Sequence, residues 1–140
     1  MLSNSLLAER LRVSVGRLAR RLRQQSLGGL TPSQASVLAT LDNHGSMSMS
    51  RIAEHEAISR PSATGIVGRL AEKGLVERSP DPGDLRSAIV AITPQGKALL
   101  RQRRRERTAY LARRIEELTD DDREILARAV DIFERLNGDG

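Results

Sequence analysis

The sequence contains no cysteine, which excludes disulfide bonds, thiolate metal ligands and thiol redox sensing. Histidine is nearly as scarce, and the presence of only His44 and His55 argues against a zinc site. The aromatic residues are Tyr110 and Phe133. Stacking of bases on aromatic side chains, a common means of binding single-stranded nucleic acid, is therefore not available to this chain.

Long hydrophobic runs are also missing. No apolar stretch approaches the about 20 residues that a membrane-spanning helix needs, and no signal peptide opens the chain. We therefore expect a soluble, cytoplasmic protein with no membrane partner. There is no Ser/His/Asp or Cys/His set and no phosphate-binding loop, and the Glu54, His55, Glu56 cluster is interpreted as solvated charge. The sequence thus predicts no enzyme activity, no cofactor and no metal.

What the chain has in excess is positive charge. Its 140 residues include 23 Lys and Arg against 18 Asp and Glu, which gives a net charge of +5 and a pI of about 10.8. A GC-rich genome also favours arginine, so the excess of arginine over lysine is weaker evidence than the net charge. The net charge indicates an anionic partner. The length fits one domain with a modest core.

Residues 59–73 are predicted to form a helix with two different faces. Ser59 is a suitable N-cap, and Gly74 follows where a left-handed C-cap residue is expected. One face is apolar and consists of Ala63, Ile66, Val67, Leu70 and Ala71. The opposite face is small, polar and basic, with Pro61, Ser62, Thr64, Gly65, Gly68 and Arg69. Glycines destabilise a helix by about 1 kcal/mol each. Close approach of the helix to a DNA backbone would explain these two glycines. Neutral sequence drift on a solvated face would explain them equally well.

Two shorter helices precede this segment. Thr31-Pro32-Ser33-Gln34 combines an N-cap threonine, a first-turn proline and a capping-box glutamine. A second short helix, about Met49 to Glu56 and capped by Ser48 or Ser50, ends close to Ser59. The helix at about Met49 to Glu56 and the helix at 59–73 are joined by a tight turn, and the second of them has a basic polar outer face. This arrangement is the helix-turn-helix pattern.

A β-hairpin is predicted directly after this helix pair. Residues 75–78 and 88–92 are typical of short strands, and residues 79–84 between them are rich in turn formers. A hairpin in this place is a wing. Arg86 lies near the tip of the wing, within reach of a minor groove. Asp84 has two interpretations: it holds the Arg86 guanidinium in place by a charge-assisted hydrogen bond, or it forms an ordinary surface ion pair with it.

The two ends of the chain are predicted to be amphipathic helices. Residues 2–25 carry an apolar stripe among arginines, and Leu27-Gly28-Gly29-Leu30 breaks that helix. This apolar stripe has two interpretations: it lies on a membrane, or it packs on another helix. We prefer the second. Thr93-Pro94 starts a long helix to about Leu118. Its arginine run 101–107 is interpreted as a solvated bridge between two packed bodies, with phosphate contact as the alternative.

A last helix follows the capping residue Thr119. Within one chain the terminal helices have only each other to pack against, so we expect them to be buried in a twofold dimer. Within a single domain spanning 1–140, dimerisation is assigned to residues about 1–27 and 108–138, and the winged lobe to residues about 31–93. The interface residues are predicted to be Leu7, Leu11, Leu18, Ile125, Ala129, Ile132, Phe133 and Leu136.

Together these features resemble the MarR family of winged-helix transcription regulators. The resemblance covers almost the whole chain and rests on Leu30-Thr31, Gln34, Leu38, Ile52-Ala53, the segments ISRPSATGIVGRL and KGLVER, Asp81 through Arg86, Thr93 and Gly96. It implies a mainly α-helical fold with a small β-hairpin wing, that is, a winged helix-turn-helix lobe plus a helical dimerisation region. It also implies that the terminal helices form a triangular dimer.

The resemblance further implies that a homodimer binds a palindromic operator in double-stranded DNA, usually to repress neighbouring genes. By position, the major groove would receive Ser59, Arg60, Pro61, Ser62, Ala63 and Thr64. Arg69 would contact a phosphate, and Arg86 would enter the minor groove with Asp84 and Ser87 beside it. Many relatives release DNA when a small phenolic or lipophilic anion binds between the dimer helices and the winged lobe. The sequence identifies no such pocket, and the scarcity of aromatics leaves little to stack on a phenol.

An alternative of another class is a helical adaptor whose arginine-rich helices bind an acidic protein. Such an adaptor would not bind duplex DNA at moderate salt, whereas a winged helix-turn-helix regulator would.

Overall fold

A computed structural model of the chain describes residues 1–26 and 28–138. Within these residues the structure is mainly α-helical with a small three-stranded antiparallel sheet, which confirms the predicted fold class. In chain order the elements are α1 (Asn4–Gln24), α2 (Pro32–His44), β1 (Met47–Ser48), α3 (Met49–Glu56), α4 (Arg60–Glu72), β2 (Val76–Asp81), β3 (Asp84–Ile92), α5 (Pro94–Glu116) and α6 (Asp120–Asn137). None of the described helices combines the length and the apolar character needed to cross a membrane.

Short polar side chains start every described helix. The N-cap residues are Ser3, Thr31, Ser48, Ser59, Thr93 and Thr119, and each accepts a backbone N–H from the residue three positions further on. The capping box at Thr31 is complete, because the Gln34 side chain in turn accepts the Thr31 N–H. Of the two candidates for α3, Ser48 is the cap and Ser50 lies inside the helix. Local chemistry therefore sets these helix starts.

The sheet differs from the predicted hairpin in two ways. Its strand order is β1-β3-β2, and the two-residue strand β1, which pairs Met47 with Val90, was not predicted. Two residues are too few to show an alternating pattern. The hairpin strands also continue through most of the predicted turn, so the chain reverses between Asp81 and Asp84. Pro80 is tolerated in β2 because this strand lies at the edge of the sheet.

A hydrophobic core lies inside the winged lobe, between α2, α3, α4 and the sheet. Its most deeply buried side chains are Val37, Leu38, Leu41, Ile52, Val67, Leu70 and Val90. The predicted inner face of α4 is fully buried at Ala63, Val67 and Leu70, whereas Ile66 and Ala71 are half-buried at its edge. By contrast, α1 and α6 contain no fully buried residue among those described. The lobe therefore folds around its own core, and the terminal helices do not share it.

The interpretation of the α5 arginine run as solvated was wrong for Arg103 and Arg107, whereas the other residues of the run are exposed. Arg103 is 2% exposed, and its burial, together with the nearby charge of Arg107, lowers its pKa below the ordinary value. Arg107 donates from Nε to Ser26 Oγ at 2.6 Å, and Arg104 forms an ion pair with Asp42 of α2 at 2.9 Å. The run therefore fastens α5 to the end of α1 and to the winged lobe, through partners distant in sequence.

Two glycines with positive φ lie in the connection between α1 and α2. Gly28 and Gly29 adopt φ values of +55° and +79°, which are accessible to glycine. Leu27, which belongs to the predicted helix break, lies outside the described residues. Lys73, at the end of α4, donates from Nζ to the carbonyl oxygen of Gly29 at 2.8 Å. This bond links the end of α4 directly to the turn that follows α1.

Gly96 is packed too closely to carry a side chain. A Cβ atom there would lie 2.3 Å from the carbonyl oxygen of Leu75 and 2.8 Å from Cγ1 of Ile92. Gly96→Ala is therefore expected to lower the free energy of unfolding by about 2 kcal/mol. Gly68→Ala is the matched control, since a Cβ there meets nothing within 4 Å and should stabilise the helix by roughly 0.5–1 kcal/mol. Urea unfolding measures both; equal stability of the two variants would contradict the packing at Gly96.

Candidate nucleic-acid interface

The carboxylate of Glu56 sets the position of the helix pair α3–α4. It accepts hydrogen bonds from Ser36 Oγ at 2.8 Å and from Thr40 Oγ1 at 2.9 Å, both on α2. The interpretation of the Glu54, His55, Glu56 cluster as solvated charge was therefore wrong for Glu56. This residue ties α3 to α2 immediately before the turn into α4. Within the described residues, no group of three or more His, Cys, Asp or Glu side chains is arranged to hold a metal ion.

The first turn of α4 presents the predicted polar face to solvent. Exposed side chains on this helix and its cap include Ser59, Arg60, Pro61, Ser62, Thr64 and Arg69. Ser59 accepts the N–H of Ser62 and donates its own hydroxyl to Ser62 Oγ at 2.8 Å, which orders the turn. Thr64 donates its hydroxyl to the carbonyl oxygen of Arg60 at 3.0 Å. The face is therefore ordered before any partner binds.

Ala63 is the exception among the predicted DNA-binding residues of α4. It is fully buried in the core, on the same side of α4 as Val67. A stretch that is contiguous in sequence is not contiguous on the surface of a helix, so the predicted segment had to include at least one inward residue. The two glycines of the outer face, Gly65 and Gly68, stand in open space, where a Cβ would meet nothing within 4 Å. The folded chain itself therefore does not require glycine at either position.

The wing contains a bulge on β3. Pro80 pairs with Ala88 and Asp81 pairs with Asp84, so residues 85–87 have no partner residues on β2. A bulge of this kind bends the strand and redirects its side chains away from the regular ladder. The side chains of this part of the wing therefore do not follow the simple alternation that a regular hairpin would give them.

Two hydrogen bonds hold the bulge at the backbone of Arg86. Asp84 Oδ1 accepts the Arg86 N–H at 3.0 Å, and Arg60 Nη2 donates to the Arg86 carbonyl oxygen at 3.4 Å. The expected contact between Asp84 and the Arg86 guanidinium is thus replaced by a contact to the backbone. In the part of the chain that the structure describes, no ion pair joins these two side chains. Ser87 Oγ is buried, with no hydrogen-bond partner among the described residues.

A groove of about 600 Å³ separates α4 from the wing. Its lining includes Arg60, Pro61 and Thr64 from α4, and Arg78, Leu85 and Arg86 from the hairpin. Arg78 and Leu85 were not among the predicted site residues. Arg78 pairs with Val90, so it shares a face of the sheet with the core, and only the strand register reveals that it points toward α4. The one sequence signal for Leu85 was a lone apolar residue between two charged ones.

The predicted dimerisation residues lie on α1 and α6. Leu7, Leu18, Ile125, Ile132 and Leu136 are between 45% and 65% exposed. Leu11, Ala129 and Phe133 are half-buried. Exposed apolar side chains therefore recur along both helices, and exposed apolar patches of this kind mark interaction sites.

A short helix pair, a bulged hairpin directly after it, and arginines exposed on both together define a winged helix-turn-helix DNA-binding protein. The comparisons with known proteins agree. The sequence profile of the MarR family matches residues 30–88. An HTH-type transcriptional regulator of Mycobacterium leprae is 37% identical over 135 residues, which cover 96% of this chain and 94% of the relative.

Two further similarities extend this result. The HTH-type transcriptional repressor MdtR of Bacillus subtilis is 33% identical over 94 residues, which cover 67% of this chain and 61% of the repressor. The crystal structure of the YusO protein of Bacillus subtilis is similar with a TM-score of 0.71 and 27% identity, covering 99% of this chain and 100% of that one. The chain belongs to the MarR family. It is a DNA-binding transcriptional regulator and not an enzyme.

Proposed function

We propose that this protein is a cytoplasmic repressor that binds a palindromic operator in double-stranded DNA as a homodimer. The observation that carries the proposal is the exposed polar face of α4 beside a wing whose bulge leaves the Arg86 guanidinium unpaired by Asp84. In this mechanism arginine–phosphate contacts supply affinity, residues of the first turn of α4 read base edges, and the wing reads minor-groove shape. The repressor name of MdtR supports the sign of regulation.

The homodimer is supported by the exposed stripes on α1 and α6. A twofold axis between two chains would cover these stripes and present two copies of α4 to one face of a duplex. Two recognition helices placed in this way match two half-sites about one helical turn apart, which is why a palindrome is expected.

An effector that releases DNA is supported by a cleft of about 560 Å³ between α1, α2 and α5. Its lining combines apolar groups with several guanidiniums, namely Pro32, Ala35, Ala39, Arg20, Arg23, Arg103 and Arg107. The charge of Arg107 acts against that of Arg103, so an anion between them would relieve repulsion. No aromatic side chain of the described residues lines the cleft. We therefore favour an aliphatic carboxylate over a phenol as the effector.

The operator is tested by selecting bound duplexes from a random pool, which should yield a palindrome. Arg86→Ala should then weaken binding to the selected duplex by at least about 1 kcal/mol, because a minor-groove contact is lost. Arg69→Ala should weaken all duplexes alike and flatten the salt dependence, because it removes one phosphate contact. Gel-shift titrations measure both. No binding to any duplex at moderate salt would instead favour the adaptor alternative.

The dimer is tested by charge introduction on α6. Ile132→Glu combined with Leu136→Glu should convert the protein to a monomer, because two carboxylates would be buried without partners. Ala127→Glu, on the opposite face of the same helix, is the matched control and should remain dimeric. Light scattering after size exclusion measures the mass. A double variant that is still dimeric would refute this interface.

The effector cleft is tested with decanoate below its micelle concentration, with salicylate in parallel. Decanoate should weaken operator binding more than salicylate does, since the cleft offers methyl and methylene groups but no ring. Arg23→Gln should raise the decanoate concentration needed for half-release by about tenfold, a value typical of a lost charge-assisted hydrogen bond. Arg10→Gln, on the same helix but outside the cleft, should leave it unchanged. Equal effects in both variants would mean that decanoate acts elsewhere.

A further inference from the structure

We propose that His44 and His55 bind one zinc ion together, with the Glu56 carboxylate as the acceptor for the second nitrogen of the His55 ring. The site joins the end of α2 to the end of α3. It lies outside the lining of the groove beside α4 and of the cleft between α1, α2 and α5. The inference is independent of the proposed function, because it requires neither DNA nor an organic effector.

The meeting of the two histidines is the first argument. His44 is the last residue of α2, and His55 lies in the last turn of α3. The fold places their ring centroids 5.2 Å apart, with 60° between the ring planes. Imidazole nitrogen is a good ligand for zinc, whereas Mg²⁺ and Ca²⁺ prefer oxygen ligands. Two histidines are few for a zinc site when the sequence alone is considered, but here both lie at one place.

The spacing of the rings is the second argument. A zinc ion bound through an imidazole nitrogen at about 2.0–2.1 Å lies roughly 3.2 Å from the centroid of that ring. Two centroids 5.2 Å apart then subtend an angle of about 109° at one shared ion. This is the tetrahedral angle that zinc adopts in proteins. Both side chains are exposed, so the rings can rotate to turn their nitrogens toward the ion without repacking the core.

The Glu56 carboxylate is the third argument. Its Oε1 lies 3.7 Å from Nδ1 of His55 and accepts the Thr40 hydroxyl at 2.9 Å, while its Oε2 accepts the Ser36 hydroxyl at 2.8 Å. A histidine that ligates a metal almost always donates its other ring N–H to such a partner, which orients the ring and raises the basicity of the ligating nitrogen. Glu56 therefore favours Nε2 of His55 as the ligating atom.

The two helix ends are held in place before any ion binds. Leu41 of α2 and Ile52 of α3 are fully buried in the same core, and the bonds of Glu56 tie α3 to α2. Little ordering is then needed when the ion binds, which favours affinity. Water completes the coordination of the ion, as it does in zinc sites that keep an open position. The site is therefore open and its ion exchangeable.

The first test follows the imidazole protons of the full-length, untagged chain by NMR while zinc chloride is added. The chain has two histidines, so every imidazole signal belongs to His44 or to His55. Both sets should shift together and stop shifting at one zinc ion per chain, whereas magnesium chloride should move neither. No shift, a shift of one histidine alone, or shifts completed at different zinc concentrations would overturn the shared site.

The second test measures zinc affinity by isothermal titration calorimetry. His44→Gln and His55→Gln should each weaken binding by more than about tenfold, because each removes a ligand. Glu56→Gln should weaken it by about tenfold, the low end for loss of an outer partner, since the amide oxygen still accepts hydrogen bonds from α2 but carries no charge. Glu54→Gln, an exposed carboxylate on the same helix, is the matched control and should change little. Equal losses in the two glutamate variants would overturn the role of Glu56.

Two further measurements separate this site from other effects of zinc. Without zinc, His44→Gln and His55→Gln should unfold at the same temperature as the unaltered protein, because both side chains are exposed. Zinc should raise the unfolding temperature of the unaltered protein alone, since it binds the folded pair. An equal rise in the histidine variants would place zinc elsewhere. Light scattering should give the same mass with and without zinc, and an increase would mean that histidines of different molecules share the ion.

Discussion

The direction in which α5 leaves the winged lobe depends on a small group of contacts around Thr93. Its hydroxyl donates to the carbonyl oxygen of Gly74 at 2.7 Å and accepts the N–H of Gly96 at 3.1 Å. Its own N–H donates to the carbonyl oxygen of Leu75 at 3.0 Å. These bonds join the end of α4, the strands β2 and β3, and the start of α5. Since Gly96 lets the Leu75 carbonyl approach closely, the orientation of α4 relative to α5 is set by backbone packing and not by a flexible linker.

Arginine has at least two different roles in this chain, and composition alone does not separate them. Arg60, Arg78 and Arg86 are exposed around the groove beside α4, on the surface that we propose binds DNA. Arg103 and Arg107 lie at the junction of α5 with α1, where one is buried and the other binds Ser26. The net charge of +5 therefore does not say how much positive charge lies on the recognition face. The position of each guanidinium matters more than the total.

The features predicted well from the sequence are those that depend on neighbours in the chain. Thr31, Ser59 and Thr93 cap their helices through residues three positions away, and the apolar face of α4 follows from helical spacing. The features that were missed depend on distant pairing. Strand β1 exists because Met47 meets Val90, and the bulge exists because of a register shift that no local pattern encodes. The partners of Arg104 and Arg107 are likewise set by the tertiary fold.

The candidate site shows the same division. The exposed face of α4 and the place of Arg86 in the wing follow from local spacing and turn chemistry. The contact of Asp84 with the Arg86 backbone, the burial of Ala63 and the place of Arg78 in the groove became visible only with the three-dimensional arrangement. Glu56 is a similar case, because the hydrogen bonds that its carboxylate accepts from α2 hold α3 against α2.

The terminal helices α1 and α6, with no fully buried residue among those described, have a consequence for gene dosage. Helices of this length receive most of their stability from packing, so whatever covers their apolar stripes contributes to keeping them ordered. Where the cover is a second copy, that contribution depends on how many chains the cell holds. At low abundance the population of paired chains falls with the square of the number of copies. A modest change in synthesis would then change promoter occupancy more steeply than it changes the amount of protein.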